Sequence, residues 1–154
     1  MNLFLKYLSV FAMAALTVLE LRGAVPYGVT MDLPLAAVLA VSILGNLLPV
    51  PFIILFIRQI LAWMKSKSRR LRSIAENLEA RAQAKGDILV KYETLGLFIL
   101  VAIPLPGTGA WTASLVATLL QLRVLKSTVA ILLGVITCGI IMGILSFGIA
   151  GIVS

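Results

Sequence analysis

Glu20 and Arg22 are ionisable residues two positions apart in an otherwise apolar stretch, just before Gly23-Ala-Val-Pro26-Tyr-Gly28. Charges at membrane depth are costly, so they line a pathway or pair with one another. Two readings stand: a coupling carboxylate held by Arg22, or an interfacial pair at an ordinary helix end. Both side chains share one side only if the backbone is extended there. The run Pro104-Leu-Pro106-Gly107-Thr108-Gly109 offers different chemistry. It will not sit in a regular helix. Irregular backbone survives in a bilayer only where protein buries it or where it lines a cavity. A half-helix starting there offers free N–H groups to an anion. Thr108, Trp111 and Thr112 add hydroxyl and indole donors. The competing reading is a kinked span with structural prolines. Asn46 is a lone amide in an apolar run, suited to an interhelical hydrogen bond or a ligand contact.

The chain has no His and a single Cys, Cys138. That leaves no intramolecular disulfide, no Cys/His metal site and no His-based catalysis. We therefore expect no enzyme, no catalytic residue, no metal and no cofactor. Cys138 reads as a small packing residue. The net charge of +7 is concentrated in Lys65, Lys67, Arg69, Arg70 and Arg72. This cluster abuts an apolar segment, so anionic headgroups at a membrane surface are the expected partner, not nucleic acid.

These residues need elements to hold them. Of the 154 residues, 61% are hydrophobic and 12% charged, against roughly 45–50% and about 25% in soluble domains. Leu33 to Ile57, Thr94 to Leu122 and Ser127 to Ser154 carry no charge. Each exceeds the ~20 residues that cross ~30 Å of hydrocarbon. Residues 1–19 look like a signal peptide, yet we expect them to stay as the first segment of the fold. The Glu20–Gly28 stretch should end that segment, with Asp32 as the next N-cap and Pro34 in its first turn. Pro49 and Pro51 should kink the span that follows. Residues 59–85 read as one basic helix with a narrow stripe of Ile60, Met64, Leu71, Ile74 and Leu78, ended by Gly86 with Asp87 capping the next helix. Gly134, Gly139 and Gly143 form a small-residue face on the last helix that suits close packing or a homo-oligomer.

A Pro/Gly-broken segment followed by a clean span occurs twice, and Ala40–Gly45 loosely matches Val129–Gly134. Nine Lys/Arg between Arg58 and Lys91 place that connection in the cytoplasm. Arg123 and Lys126 obey the same rule if the 94–122 segment dips in and returns. The expected fold is an all-α integral membrane protein of two inverted repeats. Each repeat is a re-entrant helical hairpin plus a transmembrane helix. The first repeat is 1–58, the cytoplasmic amphipathic helix 59–86, and the second repeat 87–154, in a multi-pass protein of the plasma or inner membrane. Four ordinary spans are the alternative.

Glu20-Leu-Arg-Gly-Ala-Val-Pro26-Tyr-Gly28, Gly45-Asn46-Leu-Leu-Pro49 and Ala102-Ile-Pro-Leu-Pro-Gly-Thr-Gly-Ala-Trp-Thr112 resemble motifs of the small multidrug export protein family. That family looks related to the DedA/VTT membrane proteins. The resemblance implies paired re-entrant hairpins and transport or flipping of phosphorylated lipid carriers with proton coupling. Thr108 stands where DedA hairpins often carry an acid after Pro-Gly. We thus expect a transporter or flippase, proton-coupled, acting on an amphipathic or anionic substrate. Its midplane site would draw on Glu20, Arg22, Pro26, Gly28, Asn46 and the 104–112 residues. A gradient-independent scramblase and a non-transporting scaffold are the alternatives.

Overall fold

The computed structural model describes residues 2–16, 19–85, 92–105 and 108–153. Pro106, Gly107, Gly86 and Asp87 lie outside the described residues. The described elements are all helical: α1 (Leu3–Ala15), α2 (Glu20–Thr30), α3 (Leu35–Leu47), α4 (Pro49–Lys67), α5 (Arg69–Lys85), α6 (Glu93–Ala102), α7 (Ala110–Leu119) and α8 (Val124–Val153). Leu48, with φ −51° and ψ −45°, carries the helical path from α3 into α4. The joined helix Leu35–Lys67 and the stretch Val124–Ser146 are long and apolar enough to cross a membrane. Helices α2, α6 and α7, of 11, 10 and 10 residues, fall short at 1.5 Å per residue. Large apolar side chains face outward on several helices, among them Phe4 (74% exposed), Phe52 (67%) and Leu125 (77%). Hydrocarbon, not water, suits such a surface.

Three local expectations are corrected. The first interruption precedes Glu20, because Leu16 is extended while Glu20–Thr30 is helical with Pro26 inside it. Pro26 leaves the Arg22 carbonyl without its helical donor, but burial of Leu21, Ala24, Val25 and Gly28 holds the turn together. Asp32 does not cap α3. It adopts φ +58° at the end of α2, a conformation Asp tolerates, and Pro34 occupies the N-cap position of α3. The basic stretch is not one helix. Ser68 is extended at φ −155°, and its Oγ accepts from Leu71 N at 3.3 Å as an N-cap. Helix α5 then folds back on α4, where Lys65 Nζ meets Glu79 Oε2 at 2.6 Å. Ile60, Ile74 and Leu78 remain exposed while Ala75 is buried.

Two stretches of chain repeat the same local geometry. At the end of α2, Leu33 N donates to Gly28 O (3.4 Å) and Asp32 N to Val29 O (3.0 Å). At the end of α7, Leu122 N donates to Ala117 O (2.9 Å) and Gln121 N to Thr118 O (3.0 Å). Both are Schellman turns, with left-handed Asp32 (φ +58°) and Gln121 (φ +55°) at matching places. A cation attends each: Lys6 Nζ donates to Met31 O at 2.9 Å, and Arg58 Nη2 donates to Leu122 O. Cations at helix C-termini oppose the negative end of the dipole.

The glycines match as well. A Cβ on Gly45 would stand 2.6 Å from Phe11 O and 3.1 Å from Ala14, so α3 lies directly on α1. A Cβ on Gly134 would stand 2.9 Å from Phe98 O and 2.7 Å from Val101, so α8 lies directly on α6. Across the molecule, α2 packs on α8 and α7 packs on α4. Leu35 lies against Gly143, and Leu39 against Gly139 and Gly143, so α3 and α8 run antiparallel. Gly139 also receives Leu21. The small-residue face of α8 is thus occupied within one chain.

Gly45→Ala and Gly134→Ala should each lower stability by about 1–3 kcal/mol, the cost of overpacking against a neighbouring backbone. Gly148, with open space around it, serves as the control: Gly148→Ala should leave the Tm in detergent unchanged.

Candidate functional site

The interruption between α6 and α7 begins where Ile103 turns extended (φ −82°, ψ 120°). The last carbonyls of α6 are left without helical donors, as at any helix end. Thr108 fills part of the gap: its Oγ1 donates to Leu105 O at 2.9 Å, and its N donates to the same oxygen at 3.3 Å. Gly109 follows with φ +146°, a backbone that side chains rarely adopt, and starts α7.

Arg22 supplies most of what the turn lacks. Its Nη1 donates to Thr108 O at 2.6 Å and to Leu105 O. Its Nη2 donates to Thr108 Oγ1 at 2.8 Å and to Ile103 O at 3.2 Å. The planar guanidinium can serve several acceptors at once, and it sits at the negative C-terminal end of α6. Cys138 of α8 lies beside it.

Glu20 does the reverse at the other side of the interruption. Its Oε1 accepts from Trp111 N at 3.4 Å, in the first turn of α7. A carboxylate at a helix N-terminus is favoured by the dipole and the free N–H groups. Glu20 is 6% exposed. A Cβ on Gly109 would overlap its carboxylate, so only glycine leaves room. Glu20 takes φ +48°. This left-handed residue, and not an extended strand, turns the 20/22 pair toward the same target. Trp111 Nε1 donates to Ala15 O at 3.3 Å, tying α7 to the end of α1.

Residues 20–141 match the family described as "Putative small multi-drug export protein". The chain belongs to this family. The match begins at Glu20 and takes in Arg22 and the whole 103–112 turn. The description is of a membrane transporter, and this family member is a membrane protein. No curated protein and no solved structure matches the chain.

In this small multi-drug export family member, Glu20, Arg22, Thr108, Gly109 and Trp111 are brought together. Pro104 and Thr112 flank them on the same turn and helix. Pro26 lies within α2, and Gly28 packs on Val38, where a Cβ would stand 2.6 Å from the side chain. Asn46 is buried in α3, away from this turn along the chain. Of the basic cluster, Lys65 pairs with Glu79, Arg72 Nε donates to Lys65 O at 2.9 Å, and Lys67 stands 6.0 Å from the Trp63 ring. Arg69 and Arg70 are exposed. The carbonyls of Ile103, Leu105 and Ala15 are partners that no side-chain signature announces.

Gly109→Ala should destabilise the fold severely, through both the Glu20 overlap and the positive φ. Arg22→Lys retains the charge but not the fork, and should cost about 1–3 kcal/mol. Chemical denaturation in detergent micelles measures both.

Proposed function

We propose that this protein is a multi-pass transporter or flippase of two inverted hairpin-plus-span units, with its site where Glu20 and Arg22 meet the 103–112 turn. Helices α1–α2 and α6–α7 act as the two re-entrant hairpins. The antiparallel run of α3 and α8, the matched turns and the exchanged packing of α2 and α7 all favour inversion. The observation that carries the reading is Glu20 seated on the N-terminus of α7. An anionic group of a substrate would seek those same N–H groups. Glu20 and substrate therefore compete, and protonating Glu20 releases the helix end to the substrate. Proton movement and substrate binding are coupled by that competition. The basic residues at 65–72 hold the cytoplasmic face against anionic headgroups.

A scramblase reading draws on a different observation. An apolar groove of about 470 Å³ is lined by Phe11, Leu44, Leu47, Leu48, Pro51, Phe52 and Thr128. Such a groove can hold an acyl chain without any gradient.

Proteoliposomes with and without an imposed pH gradient separate the two, with calcein and a fluorescent anionic phospholipid as anionic probes. Wild-type protein should move at least one probe faster under the gradient, and Glu20→Gln should lose at least tenfold of that rate at unchanged Tm. Equal rates in wild type and Glu20→Gln, with no response to the gradient, would select the scramblase. Topology has its own check. A Cys added after Ser154 in a Cys138→Ala background should react with an impermeant maleimide from outside; reaction only from inside selects four ordinary spans.

A further inference from the structure

Past the end of α7 lies a cavity of about 360 Å³, walled by α4, α5 and α7. Its polar lining is Arg58, Lys65, Glu79, Thr118 and Gln121. A volume near the small end of the range for ligand pockets suits a compact group. The cavity is separate from the turn that Glu20 and Arg22 serve. Trp111 opens α7 and Gln121 follows its end, about 15 Å away by helical rise.

The charges of the lining do not cancel. Lys65 Nζ is committed to Glu79, whose two oxygens it meets at 2.9 and 2.6 Å. Arg58 is the cation left over. Among the described residues no carboxylate pairs with it, and its Nη2 donates to Leu122 O. A guanidinium has five N–H donors, so most of the fork stays available. Two cations and one carboxylate leave the lining one positive charge, a match for a monoanion. Thr118 Oγ1 has given its hydrogen to Ser114 O at 2.8 Å, so the second neutral donor is the amide of Gln121. Gln121 holds φ +55° at a turn position where glycine is the usual residue. Non-glycine residues kept in that region cluster at ligand clamps.

The depth of the cavity narrows the ligand. Arg58 is the first charge after Asp32. From Leu35 to Arg58 the joined helix rises about 35 Å, enough to clear ~30 Å of hydrocarbon. Trp63, exposed one turn further on, is the kind of side chain that sits at headgroup level. Arg58 therefore stands where lipid phosphates begin, and its planar fork matches phosphate oxygens. Basic pockets between membrane helices take lipid headgroups.

We propose that the cavity between α4, α5 and α7 binds the phosphodiester of a membrane phospholipid, with Arg58 and Gln121 as its donors. One phosphodiester carries the single negative charge that the lining lacks. The Lys65–Glu79 pair closes the far wall by holding α5 against α4. The bound headgroup ties the end of α7 to α4, and so joins a spanning helix to a short one through a lipid.

Purified protein in detergent micelles tests the site with dioleoylphosphatidylglycerol, with dioleoylglycerol, which has the chains without the phosphate, and with glycerophosphoglycerol, which has the headgroup without the chains. Wild-type Tm should rise by several degrees as phosphatidylglycerol is titrated, since a ligand that binds only the folded state stabilises it. It should stay flat with dioleoylglycerol. Arg58→Lys keeps the charge without the fork, and Gln121→Gly removes the amide while easing the backbone. Each should move the lipid midpoint about tenfold higher. Without lipid, Gln121→Gly should melt no lower than wild type, which keeps lost binding apart from lost fold. Arg81→Gln, exposed on α5 outside the cavity, should titrate like wild type. An equal rise with dioleoylglycerol, an unmoved midpoint in both cavity variants, or the same shift in Arg81→Gln overturns the proposal. A full rise with glycerophosphoglycerol alone makes the ligand a soluble phosphodiester and overturns the lipid as its source. None of these outcomes depends on the transport reading.

Discussion

A helix interrupted within a packed interior exposes carbonyls on one side of the gap and N–H groups on the other, and each buried group needs a partner. In this protein one short stretch of α2 answers both ends. Arg22 takes carbonyls after α6, and Glu20 takes the N–H of Trp111 at the start of α7. The opposite charges match the opposite dipoles. Gly109 is fixed by this arrangement, because the Glu20 carboxylate occupies the volume a side chain would need.

The rest of the structure brings α2 to that gap. Gly45 lets α1 lie on α3, and Gly134 lets α6 lie on α8. Helix α2 then reaches across to α8, with Leu21 on Gly139. The contacts at Gly45 and Gly134 are close approaches of backbones through small residues, the mode of packing that works where lipid tails are as apolar as leucine, and Gly139 makes room for the Leu21 side chain. Bulk would separate α2 from the turn it serves.

Composition already pointed to a membrane protein, since long uncharged runs have few other uses. The interruption at 103–109 was equally plain, because two prolines and two glycines leave little choice of backbone. The partners of Arg22 were not legible, since carbonyl oxygens belong to every residue alike. Pro26 misled for a different reason: its local penalty is real, but tertiary packing outweighs it. The break at Ser68 carries neither Gly nor Pro and sits among good helix formers. The repeated turns at Asp32 and Gln121 share a conformation but no side-chain chemistry. The match of Gly45 to Gly134 was visible as a weak alignment, and the contacts of both glycines give it physical content.

The indole of Trp111 gives the protein an optical gauge. The chain has two tryptophans. Trp63 is exposed beside Lys67 on the basic side, whereas Trp111 is half-buried with its N–H on Ala15 O. With Trp63 replaced by phenylalanine, emission comes from one half-buried ring on α7 that is hydrogen-bonded to the end of α1. Its colour and quenching then report, in real time and without an added label, whether the start of α7 is wet or dry.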